Sequence, residues 1–167
     1  MFEIQFRKPS VNDAQSILAL VKSNKPLDEN SLYLYALLCH HFSDTCFVAE
    51  YQSKVIGFLS GFLLPKNPQT FFVWQVGVDS KYRNQGVAKN LVSCVLNQTG
   101  TRITSVEATV TASNKASLAF LKNFANDFDG EFSISPLFSK SVLGENHEPE
   151  DLVKIGPITN NVQEIEI

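Results

Sequence analysis

The stretch TFFVWQVGVD (70–79), followed by RNQGVAKNL (83–91), decides the fold of this 167-residue chain. The first segment is rich in β-branched and aromatic residues and predicts a strand, and the second begins an amphipathic helix at Gly86. A glycine in the first turn of a helix lets backbone N–H groups approach a phosphate, and the helix dipole favours an anion there. Arg83 can add a bidentate contact. The stretch therefore predicts a pyrophosphate-binding site, and a tight turn beside a solvated arginine is the structural alternative.

Length and composition fit a single domain over residues 1–167, because one core usually serves roughly 100 to 200 residues. The net charge of −3, without a basic stripe, argues against a nucleic-acid partner. The N-terminal segment has no signal-peptide pattern, and no run of about 18 apolar residues indicates a membrane span. We therefore expect a cytoplasmic protein without a membrane partner. The three cysteines lack metal-ligand spacing and are expected to be reduced core residues: Cys39, Cys46 and Cys94.

Alternating patterns predict the element order β α α β β β α β α β β, which is typical of an α/β (α+β) domain with helices on both faces of one sheet. A hairpin is predicted with its turn at Gln52 and Ser53, ended by Pro65 and Pro68. The stretches EFSISPLFSKSV (131–142) and DLVKIGPI (151–158) are predicted to be the last two strands. A polar loop is expected between them.

The run Arg83-Asn84-Gln85-Gly86-Val87-Ala88 resembles the acyl-CoA signature R-x-x-G-x-A of the GNAT superfamily of N-acetyltransferases. That superfamily places the signature after a strand ending in apolar-x-Val, here Val76-Gly77-Val78, and before a later asparagine that opens a helix. The resemblance implies a GNAT-type acyltransferase fold, with a mixed, mostly antiparallel sheet of about seven strands. It implies acetyl-CoA as cosubstrate and no metal. The implied cofactor-binding residues are Val76, Val78, Arg83, Gln85, Gly86, Val87, Ala88, Lys89 and Asn114.

Within the cofactor site, the resemblance implies that the amides of Val76 and Val78 pair with the thioester carbonyl and the pantetheine arm. The backbone of residues 85–89 would hold the pyrophosphate. Gly77 fits a bulge that exposes such amides.

A closer resemblance, to the L-2,4-diaminobutyrate acetyltransferases of ectoine biosynthesis, extends over residues 6–158. It is carried by PLDENSLY (26–33), HFSDTCFVAE (41–50), VIGFLSGF (55–62), FFVWQVGV (71–78), TVTASNKAS (109–117) and HEPEDLVKIGP (147–157). Members of this family acetylate the 4-amino group of L-2,4-diaminobutyrate, serve osmoprotection and work as homodimers. The resemblance implies the same here. The usual G-G-E-H run of the family is Gly144-Glu145-Asn146-His147 in this chain.

Diaminobutyrate carries two ammonium groups and a carboxylate, so its site should offer acidic groups and hydrogen-bond donors. The residues expected to bind it are Asp28, Asn30, Ser31, Tyr33, Trp74, Thr109 and Thr111. The local pattern alone favours other roles for three of them. Asp28 and Ser31 fit helix caps, and Trp74 fits a core position, although its ring can also hold an ammonium.

Acetyl transfer to an amine needs a base, and the resemblance makes Glu150 the leading candidate, with His147 helping to orient it. Glu107 is a second candidate base, or a structural partner of an arginine. Many superfamily members carry a tyrosine seven residues after the helix-opening asparagine, and here that position is Leu121. The thiolate would then take its proton from water or from the substrate amine. Two alternatives remain open: an acetyltransferase for another amine, such as a polyamine, and a non-catalytic acyl-CoA-binding module.

Overall fold

A computed structural model describes residues 3–100 and 102–159. The helices and strands are β1 (Gln5–Arg7), α1 (Ala14–Ser23), α2 (Leu32–His41), β2 (Phe47–Tyr51), β3 (Lys54–Leu64), β4 (Asn67–Val78), α3 (Val87–Gln98), β5 (Ser105–Thr111), α4 (Lys115–Asp127), β6 (Phe132–Phe138), α5 (Lys140–Leu143) and β7 (Glu150–Ile155), with 3-10 turns at Val11–Asp13 and Ser80–Tyr82. None of the helices in these ranges is long and apolar enough to cross a membrane.

The predicted element order is confirmed, with three corrections. Helix α5 was not predicted, because the last strand but one was expected to continue through residue 142. That strand ends earlier, since the backbone oxygen of Ser139 accepts a hydrogen bond from the N–H of Val142 and begins a helical turn. Pro68 lies inside β4, near its first residue, where a missing N–H is tolerated. Glu150, expected in a loop, is the first residue of β7.

The strands are ordered β1-β2-β3-β4-β5-β7-β6 in a seven-stranded sheet. β4 and β5 are parallel, whereas β1 and β2, β2 and β3, β5 and β7, and β6 and β7 pair antiparallel. The predicted mixed, mostly antiparallel sheet is therefore confirmed. By contact density the described residues form two compact units, one of residues 3–62 and 74–100 and the other of 63–73 and 102–159.

In the first unit, helices cover both faces of the sheet. Helices α1 and α2 form one core with Val48 and Phe58. Alternate strand residues point to opposite faces, so Ala49 and Gly57 lie on the face opposite to α1 and α2. There Val87 of α3 lies 3.0 Å from the position that a Cβ on Gly57 would occupy. The hairpin turn is where it was predicted, because Gln52 and Ser53 both take the positive φ that a two-residue turn requires.

The three cysteines are buried and free, as predicted for core residues. Burial in apolar surroundings raises the pKa of the Cys39 and Cys94 thiols to about 11 and that of Cys46 to about 12. At neutral pH all three are protonated and therefore weak nucleophiles.

In the second unit, strand β7 lies between β5 and β6. Along β5, Val106, Ala108 and Val110 are buried and alternate with half-buried polar residues. In β7, Val153 and Ile155 are completely buried and Leu152 is half-buried. Strand β6 differs, because nearly all of its residues are exposed.

An ion-pair network ties β1 to the turn before α1. The Arg7 guanidinium donates two hydrogen bonds to Asp13, at 2.8 and 2.9 Å, and two to Glu50 of β2, at 2.6 and 2.9 Å. Asp13 also accepts from the backbone N–H of Ser10 at 2.7 Å, as expected for a capping residue. The Arg7 hydrogen bonds hold the pKa of Asp13 below its ordinary value.

Asp13→Asn should lower the free energy of unfolding at pH 7 by about 1.5–3 kcal/mol, because it weakens charged hydrogen bonds in a mostly buried site. The folded pKa of Asp13 is depressed, so its contribution is complete above the unfolded value of about 3.9 and is lost as the pH falls through the folded value. Urea unfolding at pH 7 and pH 3 should show the difference between wild type and variant shrinking in acid.

Asp44→Asn is the control for this prediction, because Asp44 pairs with Lys8 while its side chain is 79% exposed. That change should cost less than about 1 kcal/mol. Equal losses in the two variants would contradict the structural role of Asp13.

Candidate active site

Helix α3 begins with a backbone arrangement suited to an anion. Gly86 is its N-cap and takes the left-handed conformation, with φ 78°. The N–H of Asn90 makes the first intrahelical hydrogen bond, to the Gly86 oxygen at 2.9 Å, so those of Val87 and Ala88 have no acceptor within the helix. A Cβ on Gly86 would meet no protein atom within 4 Å. The helix start is thus open and lined with donors, as a diphosphate requires.

The last residues of β4 carry the amides that the sequence assigns to the acyl group. The N–H of Asp79 donates to the oxygen of Ile56 in β3 at 2.7 Å. Because successive strand residues direct their N–H groups to opposite edges, those of Val78 and Val76 point away from β3. The ladder between β4 and β5 ends at Val73. The orientation of both amides therefore agrees with their predicted role.

The structure explains Gly77 by packing. A Cβ there would lie 2.7 Å from the Phe58 ring and 3.2 Å from the Leu27 side chain. The glycine thus lets the segment between α1 and α2 lie directly on β4. The bulge that was expected at Gly77 stays a prediction.

Two polar side chains of the signature bind protein groups. The Arg83 guanidinium donates to the backbone oxygen of Val78 at 3.2 Å and to the side-chain oxygen of buried Asn24 at the end of α1. Gln85 donates to the oxygen of Lys81 at 3.3 Å. Arg83 therefore holds the end of β4 against α1, and its predicted phosphate contact stays a prediction.

The segment before α2 and the first turn of that helix carry four of the residues predicted to bind diaminobutyrate. Ser31 caps α2 by accepting from the N–H of Leu34 at 3.2 Å, so its capping role is confirmed. Asp28 is exposed. The side-chain amide of Asn30 donates a long hydrogen bond, of 3.4 Å, to the backbone oxygen of Asp28. Tyr33 is 72% exposed. These positions leave the polar side chains accessible to a solute.

Trp74 and its neighbour Gln75 point to opposite faces of β4. Trp74 is 40% exposed, so it is not the core residue that a tryptophan within a strand usually is. Gln75 is buried and hydrogen-bonds to Asp28, and sequence reasoning missed it. The available signal was an amide within the otherwise apolar stretch FFVWQVGV (71–78).

In the second unit, three predicted site residues share the polar face of β5. Glu107, Thr109 and Thr111 alternate with buried apolar residues, and in the antiparallel register they lie opposite Lys154, Leu152 and Glu150 of β7. Residues directly opposite each other share a face, so Thr111 and Glu150 are neighbours. The structure thus brings these two predicted site residues together.

Glu107 forms an ion pair with Lys154 at 3.1 Å, and its side chain is 15% exposed. The cation is a lysine, where the sequence suggested an arginine. Glu107 lies four residues before Thr111, which is about 13 Å along a strand. Glu107 and Glu150 therefore occupy opposite ends of this face.

The segment before β7 is held by polar contacts. Ser113 donates to the Glu148 carboxylate at 2.5 Å, and Thr111 and Ser113 are linked at 3.3 Å. The Nδ1 atom of His147 lies 2.7 Å from the Glu148 backbone oxygen. A carbonyl oxygen only accepts, so Nδ1 carries the proton, and a neutral ring then has its lone pair on Nε2. This contact orients the His147 ring within the segment.

Asn114 caps α4, since its side-chain oxygen accepts from the N–H of Ser117 at 3.1 Å. The helix start that the sequence predicted is confirmed. Leu121 is 3% exposed within α4, so the position of the superfamily tyrosine is an apolar core residue. Among residues 3–100 and 102–159, no group of three or more potential ligands could hold a metal ion.

Comparisons with known proteins agree with this geometry. Residues 14–125 match the acetyltransferase (GNAT) family model. The chain is 41% identical to the L-2,4-diaminobutyric acid acetyltransferase of Chromohalobacter salexigens over 90% of this chain and 80% of that protein. It is 39% identical to the enzyme of the same name from Marinococcus halophilus, over 93% and 91%.

Among solved structures, the chain resembles the diaminobutyrate acetyltransferase EctA from Paenibacillus lautus in complex with L-2,4-diaminobutyric acid and coenzyme A. The TM-score is 0.89, with 34% identity over 98% of this chain and 100% of that one. It also resembles Ard1 from Thermoplasma volcanium, with a TM-score of 0.71 and 18% identity over 92% of this chain and 97% of that one, which shows the fold alone. The predicted GNAT-type fold is confirmed.

Gly86→Val should weaken the binding of coenzyme A at least about tenfold, equivalent to about 1.4 kcal/mol, because its side chain would occupy the open start of α3. Isothermal titration calorimetry measures this directly. Gly100→Val is the matched control: Gly100 follows the other end of α3 and has φ 67°, and a Cβ on it would likewise meet no atom within 4 Å.

Both valine substitutions strain a left-handed residue, so similar losses of stability are expected from them. Only the Gly86 variant should lose affinity for coenzyme A. Equal affinities in the two variants would exclude the start of α3 as the diphosphate site.

Proposed function

This chain belongs to the acetyltransferase (GNAT) family and, within it, to the L-2,4-diaminobutyric acid acetyltransferases, and we propose that it transfers the acetyl group of acetyl-CoA to the 4-amino group of L-2,4-diaminobutyrate. The products are N4-acetyl-L-2,4-diaminobutyrate and coenzyme A, a step of ectoine biosynthesis. The observation that carries this proposal is the likeness, over nearly the whole chain, to an enzyme solved with both its diamine substrate and coenzyme A.

The start of α3 is the proposed diphosphate site. The N–H groups of residues 85–89 would hold the pyrophosphate, with Arg83 near its edge and Asn114 as a further contact. The amides of Val76 and Val78 would polarise the thioester carbonyl, because charge develops on its oxygen as the amine attacks. These donors are fixed by the backbone, so they need no reorganisation during the reaction.

The acceptor is a small dication with one carboxylate. Asp28 and Glu150 would meet its nitrogens, and the ring of Trp74 offers a face to an ammonium. Hydroxyl and amide groups would serve the remaining polar atoms of the substrate. These are the side chains of Asn30, Ser31, Tyr33, Thr109 and Thr111.

Glu150 is the proposed general base, directly or through a water molecule, with His147 helping to orient it. The amine loses a proton to the base and attacks the carbonyl carbon, so that a C–N bond forms and the C–S bond breaks. The departing thiolate takes a proton from water or from the substrate amine, because Leu121 carries no acidic group. Glu107 is the weaker candidate, since its carboxylate is engaged by Lys154 at the other end of the same face.

The proposal is tested by mixing the protein with acetyl-CoA and each candidate amine and following thiol release. Release with diaminobutyrate and not with spermidine supports it, and product NMR identifies the acetylated nitrogen. Release with spermidine alone would instead support another amine acetyltransferase. Binding of coenzyme A without turnover of any amine would support a binding module.

Glu150→Gln should lower kcat at least about 100-fold, which is the low end of general-base contributions, and leave the KM for acetyl-CoA unchanged. Glu107→Gln is the matched control, because it removes a carboxylate of the same ladder. It should change kcat less than about threefold while costing some stability through the loss of the Lys154 pair. A larger loss of kcat in the Glu107 variant than in the Glu150 variant would make Glu107 the general base in place of Glu150.

We also propose that the enzyme is a homodimer whose interface is formed by β6 and α5. Ten large hydrophobic residues are exposed among those described, and five of them lie within this one short segment: Ile134, Leu137, Phe138, Val142 and Leu143. In the second unit β6 is the terminal strand, so a second copy can cover both its edge and its apolar side chains. The sequence also offers the apolar stretches ISPLF (134–138) and DLVKI (151–155) as dimer surface; ISPLF lies in β6, whereas Val153 and Ile155 of DLVKI are buried.

Val142→Asp should convert the dimer to a monomer, since it places a charge in an apolar contact. Size-exclusion chromatography with light scattering gives the mass. Val11→Asp is the control, because Val11 is also exposed, at 49% against 67% for Val142, but lies outside the proposed surface. A dimer that survives Val142→Asp, or a monomeric wild type, would contradict the proposal.

We place the enzyme in the cytoplasm, where its three buried thiols stay reduced. No contact with a nucleic acid or a membrane enters the proposed mechanism.

A further inference from the structure

Strand β4 carries a buried amide that the mechanism does not use. Gln75 is 6% exposed. Its Oε1 atom accepts from the Tyr35 hydroxyl at 3.1 Å, and its Nε2 atom donates to the backbone oxygen of Asp28 at 2.7 Å. A buried amide is costly unless its hydrogen bonds are made, so this arrangement specifies both partners.

The hydrogen bond to Asp28 holds a segment that has little structure of its own. Residues 25–31 join α1 to α2 without a regular helix or strand. The N–H of Leu27 bonds to Asn24, and the Leu27 side chain lies over Gly77. At Asp28 the described contact with β4 is the Gln75 hydrogen bond. The position of the Asp28 backbone is therefore set from inside the core.

Gln75 binds the backbone oxygen of Asp28 and not its carboxylate. The hydrogen bond thus fixes the backbone from which the Asp28 side chain extends, without using the carboxylate itself. We infer that Gln75 is a positioning residue that sets the affinity for the acceptor diamine by holding Asp28 in place. This inference rests on the proposed function, in which Asp28 meets an ammonium of the acceptor.

A carboxamide serves both neighbours of Gln75. The Tyr35 hydroxyl needs an acceptor and the Asp28 oxygen needs a donor. Glutamate has the same size, and as a carboxylate it can only accept. Methionine has a similar length and provides neither group in comparable strength. These two replacements therefore remove the Asp28 hydrogen bond while filling most of the same space.

Gln75→Glu, as a carboxylate, and Gln75→Met should each raise the KM for diaminobutyrate about tenfold, because loss of the Gln75 hydrogen bond releases the segment that carries Asp28. The KM for acetyl-CoA should stay the same. Tyr35→Phe is the matched control, because it removes the other hydrogen bond of the same amide and leaves the one to Asp28. Its KM for diaminobutyrate should change less than about threefold.

A double-mutant cycle distinguishes positioning from general loss of stability. In an Asp28→Asn background, the Gln75 substitutions should add little to the KM for diaminobutyrate, because the carboxylate they position is absent. The inference is overturned by additive effects, by an unchanged KM in the Gln75 variants, or by an equal rise in Tyr35→Phe. Failure of the proposed function is a separate result: wild-type protein would then not acetylate diaminobutyrate at all.

If Gln75→Glu does not fold, Gln75→Met completes the cycle, since an apolar side chain tolerates burial at this position.

Discussion

The start of helix α3 is the constraint on which the rest of the proposed chemistry depends. A helix leaves its first N–H groups without internal partners, and Gly86 begins this one in a conformation that other residues adopt at a cost. Val87, the next residue, is buried against Gly57, so the helix start cannot drift relative to its strands. The donors are therefore fixed in direction before any ligand arrives, so the proposed binding of a diphosphate needs no reorganisation of this backbone.

Strand β4 serves several needs because its edges and faces are chemically different. One edge is occupied by β3, and the amides of Val76 and Val78 point to the other. One face holds the segment 25–31 through Gln75 and the space left by Gly77, whereas Trp74 is exposed on the opposite face. The same few residues thus position a backbone donor, an acidic segment and an aromatic ring. A shift of β4 by one residue would turn each of these groups to the opposite edge or face of the strand.

The two glutamates that the sequence offered as bases are separated by strand register. Glu107 lies opposite Lys154 and its charge is offset there, whereas Glu150 lies opposite Thr111 at the far end of the same ladder. The two carboxylates therefore lie opposite different residues of the neighbouring strand. The polar contacts of Ser113 and Glu148 add order to the segment that carries His147.

The sequence by itself determined the element order, the hairpin turn at Gln52 and Ser53, the caps at Ser31 and Asn114, and the start of α3, because each depends on residues close together in the chain. It also determined the family, through short patterns spread along the chain. Only the tertiary structure decided that Gln75 supports Asp28, that Arg83 holds Asn24 and Val78, that Glu107 pairs with Lys154, and that β7 is core while β6 is exposed. These depend on residues brought together from distant positions, and strand alternation alone does not state which strand will be the neighbour.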